Sequence, residues 1–365
     1  MTETAPSRRS RLTDVPSASR DEREGGHGFV WRFWAVVILW AAIVAERSAA
    51  LGIPVRDPEG QMFVNRLAKA LVFLAVIALV EAVVRARSHG RSRGWSVRNV
   101  ARVLRERWTP HRLLLVVTGL VGYHIVYLGY RNLKSWNAFN PLRDDDLLVL
   151  DRALFLGHSP WVMLHTLLGE SYAAEALAVV YRSFTYVIVL GLVGSLALIP
   201  SVRKAYVFLS AAAWAWILGT LCYYLLPSLG PYAAVPAEFS GLRHTPITDT
   251  QVEYLVERAA FLADPSASES FVSLGAFASL HVGFSTLVFL MARYYGLRRL
   301  SRVLAVYLGA VIISTVYFGW HYVLDDIAGV LLALTAVQLG KWTVSPPRLL
   351  ARSTTARSAG RREPV

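Results

Sequence analysis

The chain alternates long apolar runs with short polar stretches, and the apolar runs have the length that a bilayer selects. Eight of them, at 29–45, 66–84, 113–130, 174–199, 205–226, 276–292, 302–319 and 324–342, predict eight spanning helices. A hydrocarbon core of ~30 Å takes about 20 residues at a rise of ~1.5 Å each, so every run crosses once. A further apolar stretch, 147–168, is interrupted by Asp151, Arg152, His158, Pro160 and His165. It reads as a pair of interfacial helices on the outer leaflet, placed to roof a cleft or guide a lipid. Counting it as a ninth span would carry the C-terminus to the other side. The polar residues 1–28 and the stretch 344–365 are expected to be disordered tails. No small-residue cleavage site closes the first run, so it is not read as a signal peptide.

Composition agrees with this pattern. With 55% hydrophobic residues, 17% charged and a mean hydropathy of +0.42 over 365 residues, the chain reads as an all-α polytopic membrane protein. The net charge of +13 does not point to nucleic acid, because the basic residues fall in short segments between apolar runs. Those segments hold Arg8 to Arg11, Arg85 to Arg112, Arg203 and Lys204, Arg293 to Arg302, and Lys341 to Arg362. All lie on one side of an eight-helix bundle, which the positive-inside rule makes cytoplasmic together with both termini. The plasma (inner) membrane is the expected location. Cys222 is the only cysteine, which excludes intramolecular disulfides and cysteine-based metal sites.

Against this background three ionisable residues stand out: His281, in Ala-Ser-Leu-His at 278–281, and His321 with Asp325, in His-Tyr-x-x-Asp. Ionisable groups at membrane depth are costly and usually functional. The helix pattern used hydropathy and the orientation used arginines, yet both place these residues at the outer face. His281 is expected about five residues inside its helix, roughly 7 Å from the outer end and within reach of a headgroup phosphate. Positions 321 and 325 are one helical turn apart, so the carboxylate can hold one imidazole nitrogen and leave the other to attack. A second histidine suits proton donation and return. Two unrelated helix-end histidines, or a metal site of His281, His321 and Asp325, are the competing readings.

Ala-Ser-Leu-His at 278–281 followed by His-Tyr-x-x-Asp-x-x-x-Gly at 321–329 resembles two signature blocks of the type 2 phosphatidic acid phosphatase (PAP2) superfamily. Leu226 to Tyr232 and Asp151 to Pro160 are similar to pieces of its inositol phosphorylceramide synthase-like branch. The resemblance covers roughly 113–343 as a six-helix catalytic domain. It leaves 29–112, two extra helices and a basic loop, unexplained. It implies that His321 is the nucleophile, Asp325 its orienting carboxylate and His281 the acid that protonates the leaving oxygen, with no metal and no cofactor. The substrate would be a membrane lipid with a phosphate or phosphodiester headgroup, acted on at the outer face.

The departures from the family pattern bear on the reaction. Its phosphatases carry a Lys/Arg block that is not recognisable here, and an arginine six residues before the nucleophile, where this chain has Thr315. Scarce cations favour a less charged phosphodiester, hence headgroup transfer over hydrolysis of a lipid phosphate or isoprenoid diphosphate. Arg182, about eight residues into the fourth helix, is the candidate replacement cation; a structural ion pair or snorkelling is the alternative. Ser279 reads as a phosphate donor or a helix cap, Tyr232 as a site residue or part of a helix-ending turn, and Arg243 as a headgroup contact or a solvated loop residue. Asp326 reads as a helix-start charge. A transporter with a histidine and arginine relay is the alternative of another class, opposed by the lack of internal repeats.

Overall fold

A computed structural model describes residues 28–89, 96–267 and 270–346, and every regular element among them is helical. Of the expected tails, 1–27 and 347–365, with Arg8 to Arg11 and Arg348 to Arg362, lie outside the described residues, as do Arg91 and Arg93, while Gly28 and Val344 are helical. In chain order the helices are α1 (Gly28–Leu51), α2 (Val64–His89), α3 (Val97–Arg107), α4 (Pro110–Trp136), α5 (Asp144–Leu154), α6 (Pro160–Leu168) and α7 (Tyr172–Leu198). They continue with α8 (Val202–Leu225), α9 (Pro231–Ala234), α10 (Pro246–Ala263), α11 (Leu280–Tyr294), α12 (Arg298–Tyr317) and α13 (Val323–Val344). Among the described residues seven are long and apolar enough to cross a membrane, and α11 is a shorter apolar helix. The chain is an all-α polytopic membrane protein.

The eight apolar runs map onto α1, α2, α4, α7, α8, α11, α12 and α13, with one shift that matters. The sixth run begins at 276, but its helix begins at Leu280. The preceding residues are non-helical and bond to another segment: the Ala276 N–H donates to the Ser228 carbonyl at 2.9 Å and the Phe277 N–H to the Ser228 hydroxyl at 3.1 Å. An apolar non-helical stretch and the first turn of an apolar helix have the same hydropathy, so composition does not separate them. His281 is thus the second residue of its helix, and the estimate of five residues is corrected.

Three helices were absent from the sequence reading. α3 forms within the basic loop, seating Val100 against Ala82 and Ala86 of α2. α9 is a short turn of helix after Gly230. α10 forms within the long loop 227–275, opened by a capping box of Thr245 and Thr248 with Pro246 at its first position. The interrupted stretch 147–168 does fold as two helices, α5 and α6.

α8 sits at the centre of the bundle, packed on α4, α11 and α13. Its small residues Ser210 to Ala213 are buried and allow close helix approach. Arginines gather where α7 and α13 end. Arg112 donates to the carbonyls of Leu196, Ile199 and Pro200, and Arg32 to those of Thr343 and Val344. These carbonyls have no partner within their own helices, and cations complement the negative end of the helix dipole. At the other end of the bundle α4 stops while α7, α11 and α13 begin, and there His281, His321 and Asp325 meet.

The arginine-rich end is expected to face the cytoplasm. In a Cys222→Ala background, a Ser240→Cys variant should react with an impermeant thiol reagent on intact cells, and an Arg105→Cys variant on α3 should react only after the cells are opened. The opposite pattern would overturn the orientation.

Candidate active site

The turn that joins α12 to α13 carries His321, and its conformation is fixed from three sides. Gly319 takes φ of 63°, in the left-handed region, and a Cβ there would collide with the Phe239 ring. Its carbonyl accepts the Tyr232 N–H at 3.0 Å, and the Trp320 N–H donates to the Thr315 carbonyl at 3.1 Å. Beyond the turn, the first two amides of α13 would be left unpaired in the interior. The Asp151 carboxylate, reaching over from α5, accepts both, from Val323 at 3.0 Å and Leu324 at 3.1 Å.

Asp325 occupies the third position of α13 and folds back over its own N-terminus. Its Oδ2 accepts the Tyr322 N–H at 3.0 Å and lies 3.4 Å from His321 Nδ1. The expected carboxylate–imidazole contact is present, but it arises from a cap turn. His321 stands two residues ahead of the helix, so the one-helical-turn rationale is corrected. Asp144 completes the support: it accepts the N–H groups of Leu229 and Gly230 at 3.0 and 2.9 Å, and the Tyr322 hydroxyl at 3.2 Å. Asp326 is buried and accepts the Thr315 hydroxyl at 2.9 Å, so it is a packed hydrogen-bond acceptor rather than an exposed helix-start charge.

Burial pushes the Asp151 and Asp144 carboxyls above their ordinary pKa, and the amides they accept pull them back down. In the turn between the two spans, burial holds the His321 imidazole well below its ordinary pKa, and His281 and Lys134 push the same way. A neutral imidazole is the nucleophilic form.

His281 reaches the same place from α11. Its ring lies between those of Tyr181 and Phe184 on α7, with centroids 4.3 and 4.4 Å away, and 5.7 Å from the His321 ring. Gly329, the glycine of Asp-x-x-x-Gly, lets α13 close on this helix start. A Cβ at Gly329 would strike the Ser279 carbonyl oxygen.

Both histidines line a cavity of about 390 Å³. Four cations line it too: Arg131 and Lys134 from α4, Arg66 from α2 and Arg182 from α7. The Lys134 ammonium lies 4.9 Å from the centre of the Tyr223 ring, and no carboxylate pairs with it among the described residues. Arg131 donates to the Ser273 hydroxyl at 2.8 Å, and Arg66 covers the Tyr127 ring at 4.1 Å. Arg182 is exposed and has no carboxylate within ion-pair distance among the described residues, so the structural ion pair considered for it does not form. Tyr254 and Thr250 cover the cavity from α10. The covering helix is therefore α10, and α5 and α6 instead brace the turn below.

Of the other residues singled out from sequence, Ser279 is fully buried and caps α11, accepting the Val282 N–H at 3.3 Å. Tyr232 packs against Trp320 with ring centroids 5.1 Å apart and holds the Gly319 turn through its backbone. Neither is among the cavity-lining residues. Arg243 is half exposed, pairs with Glu175 at 3.0 Å, and is not brought to the cavity. Among the described residues no three His, Cys, Asp or Glu side chains are grouped to hold a metal ion. Sequence reading missed Arg131, Lys134 and Arg66. The signal available was two cations three residues apart, hence on one helix face, at the end of the third run.

A model of the PAP2 superfamily matches residues 145–339, more than half of the chain, from α5 into α13. No curated protein and no solved structure matches. The cations Arg66, Arg131 and Lys134 lie outside the matched stretch.

Asp151 makes no direct contact with either histidine side chain in this arrangement, yet its removal should be felt at both. Asp151→Ala should lower stability by about 1 to 2 kcal/mol, as loss of a helix cap does, and cut turnover by ~10-fold or more per folded molecule. Asp151→Asn, which keeps one acceptor, should recover part of both. Thermal melts beside specific activity make the measurement, and unchanged turnover in folded Asp151→Ala would remove Asp151 from any positioning role.

Proposed function

Because the chain belongs to the PAP2 superfamily, with its phosphatase and phosphotransferase chemistry, we propose that it cleaves and transfers the phosphorylated headgroup of a membrane lipid through a phosphohistidine at His321. The observation that carries this reading is the pair of imidazoles with ring centroids 5.7 Å apart, one backed by a carboxylate, on the wall of a cavity that also holds four cations. His321 Nε2 attacks phosphorus while the bond to the leaving oxygen breaks, and His281 donates the proton that oxygen needs. Asp325 holds the Nδ1 proton and stabilises the positive charge on the ring. The acceptor then gives its hydroxyl proton to His281, its oxygen attacks phosphorus, and the phosphorus–nitrogen bond breaks to restore His321. Lys134, Arg131 and Arg182 balance the charge on the non-bridging oxygens. No step calls for a metal or cofactor.

Transfer of the inositol phosphorylceramide synthase type is supported by the motifs at 151–160 and 226–232 and by Thr315, whose hydroxyl bonds Asp326 where the family's phosphatases place an arginine. The scarcity of cations inferred from sequence no longer supports it, since α2 and α4 supply three. Those cations favour a second reading, hydrolysis of a lipid phosphate or isoprenoid diphosphate, whose dianion they suit. Its position opposite the arginine-rich end supports a site at the outer membrane face.

Radiolabelled lipid phosphate donors, offered with water alone or with an alcohol acceptor, separate the two by whether label ends in free phosphate or in a new phosphodiester. An acid-labile label on the protein, lost in His321→Ala, is expected in both. His321→Ala and His281→Ala should each lower turnover by ~10²-fold or more with little change in melting temperature. Activity within about tenfold of wild type in either variant would sink the mechanism.

Arg182→Lys keeps the charge and loses the forked donor. Turnover is expected to fall while thermal stability holds, because no carboxylate among the described residues pairs with this side chain. A destabilised protein with normal specific activity would take Arg182 out of the site.

A further inference from the structure

Beside the catalytic cavity lies a larger cleft of about 930 Å³, walled by α2, α4 and α7. The two spaces share Arg66, Arg182, Thr185 and Ile188, so they adjoin along a neck that carries two guanidinium groups. Past the neck the walls turn apolar: Ala70 and Phe73 from α2, Leu120 from α4, Val189 and Val193 from α7. Lys69, one residue before Ala70 on α2, and His124, its Nδ1 tied to the Leu120 carbonyl at 2.8 Å, are polar residues among these walls. Along α7 the cleft is lined from Glu175 to Val193, and the part beyond Arg182 covers the eleven residues to Val193. At ~1.5 Å per residue that is roughly 16 Å, about half of a ~30 Å hydrocarbon core and hence the depth of one leaflet.

We propose that this cleft holds one aliphatic chain of the phospholipid whose phosphate lies in the catalytic cavity, with Arg66 and Arg182 meeting the phosphate at the neck. The proposal rests on the lipid phosphotransfer reading above and adds to it a binding site. Three observations favour a chain over any other occupant. The walls are mostly apolar where a chain would lie, the cations stand where a chain would join its headgroup, and the length beyond the neck is that of one leaflet. It also gives α2 a task. That helix lies outside the stretch matched by the family model, yet it forms one wall of the cleft and carries one of the two neck arginines.

The test uses full-length protein in lipid nanodiscs and phosphatidic acid with a diazirine midway along one acyl chain. Irradiation should label Phe73, Leu120 or Val189, and excess phosphatidic acid should compete more strongly than uncharged diacylglycerol. Ala70→Trp and Val189→Trp should remove that label. They should also lower the ratio of kcat/KM for a long-chain over a short-chain substrate by about tenfold or more, a ratio that does not depend on how much protein is folded. Ile43→Trp, on a lipid-facing side of α1, should change neither. Label spread evenly over lipid-facing helices, or an unchanged ratio in both cleft variants, would overturn the proposal. Labelling is repeated in His321→Ala: label kept in the cleft supports the chain site independently of catalysis, so the chain site stands even where that variant keeps its turnover and the catalytic reading fails.

Discussion

The carboxylate of Asp151 and two amides at the start of α13 form the contact on which the active end of this molecule depends. A helix that begins inside a protein must find partners for its first N–H groups, and here they come from an element more than 150 residues earlier in the chain. With that helix start fixed, Asp325 can fold back over it and face His321. Asp144 then ties the same turn to the segment after α8. Three carboxylates therefore hold backbone rather than cations. Lys134, Arg131 and Arg182 line the cavity without a carboxylate partner at ion-pair distance among the described residues. A phosphate entering the cavity meets positive charge that is not already neutralised.

The division of labour between matched and unmatched parts of the chain follows from this. The superfamily match spans the helices that carry the two histidines, Asp325 and Arg182. The other cavity cations come from α2 and α4, which precede it. Position 315, six residues before His321, holds a threonine that bonds Asp326, and positive charge reaches the cavity from α2, α4 and α7 instead.

Much of the architecture was legible in the sequence because a bilayer imposes a length and a polarity that hydropathy detects. The helix starts were less legible. Residues 276–279 are as apolar as the helix they precede, and only Ser279, a recognisable cap residue, marked the true boundary. α10 escaped because a half-buried helix over a cavity has mixed composition. The histidines and Asp325 could be found from spacing and topology. Lys134 and Arg131 could not be joined to them, since nothing along the chain relates position 134 to 281 or 321 until the helices pack. Arg243 shows the converse: a basic residue in a promising loop that the fold pairs with Glu175 instead.

The shortness of α11 has a physical consequence for how its start is reached. Its 15 residues extend about 22 Å, some 8 Å less than a ~30 Å hydrocarbon core. Residues 280–292 are buried or half-buried, so neighbouring helices rather than lipid surround it. The shortfall is made up inside the protein, where the non-helical residues 276–279 lead into the helix and residues of α10 and of the turn before α13 line the cavity beside it. Under the proposed function a phosphate meets His281 in a space bounded by protein, so the reach to it is set by the bundle and changes little with the thickness of the host membrane.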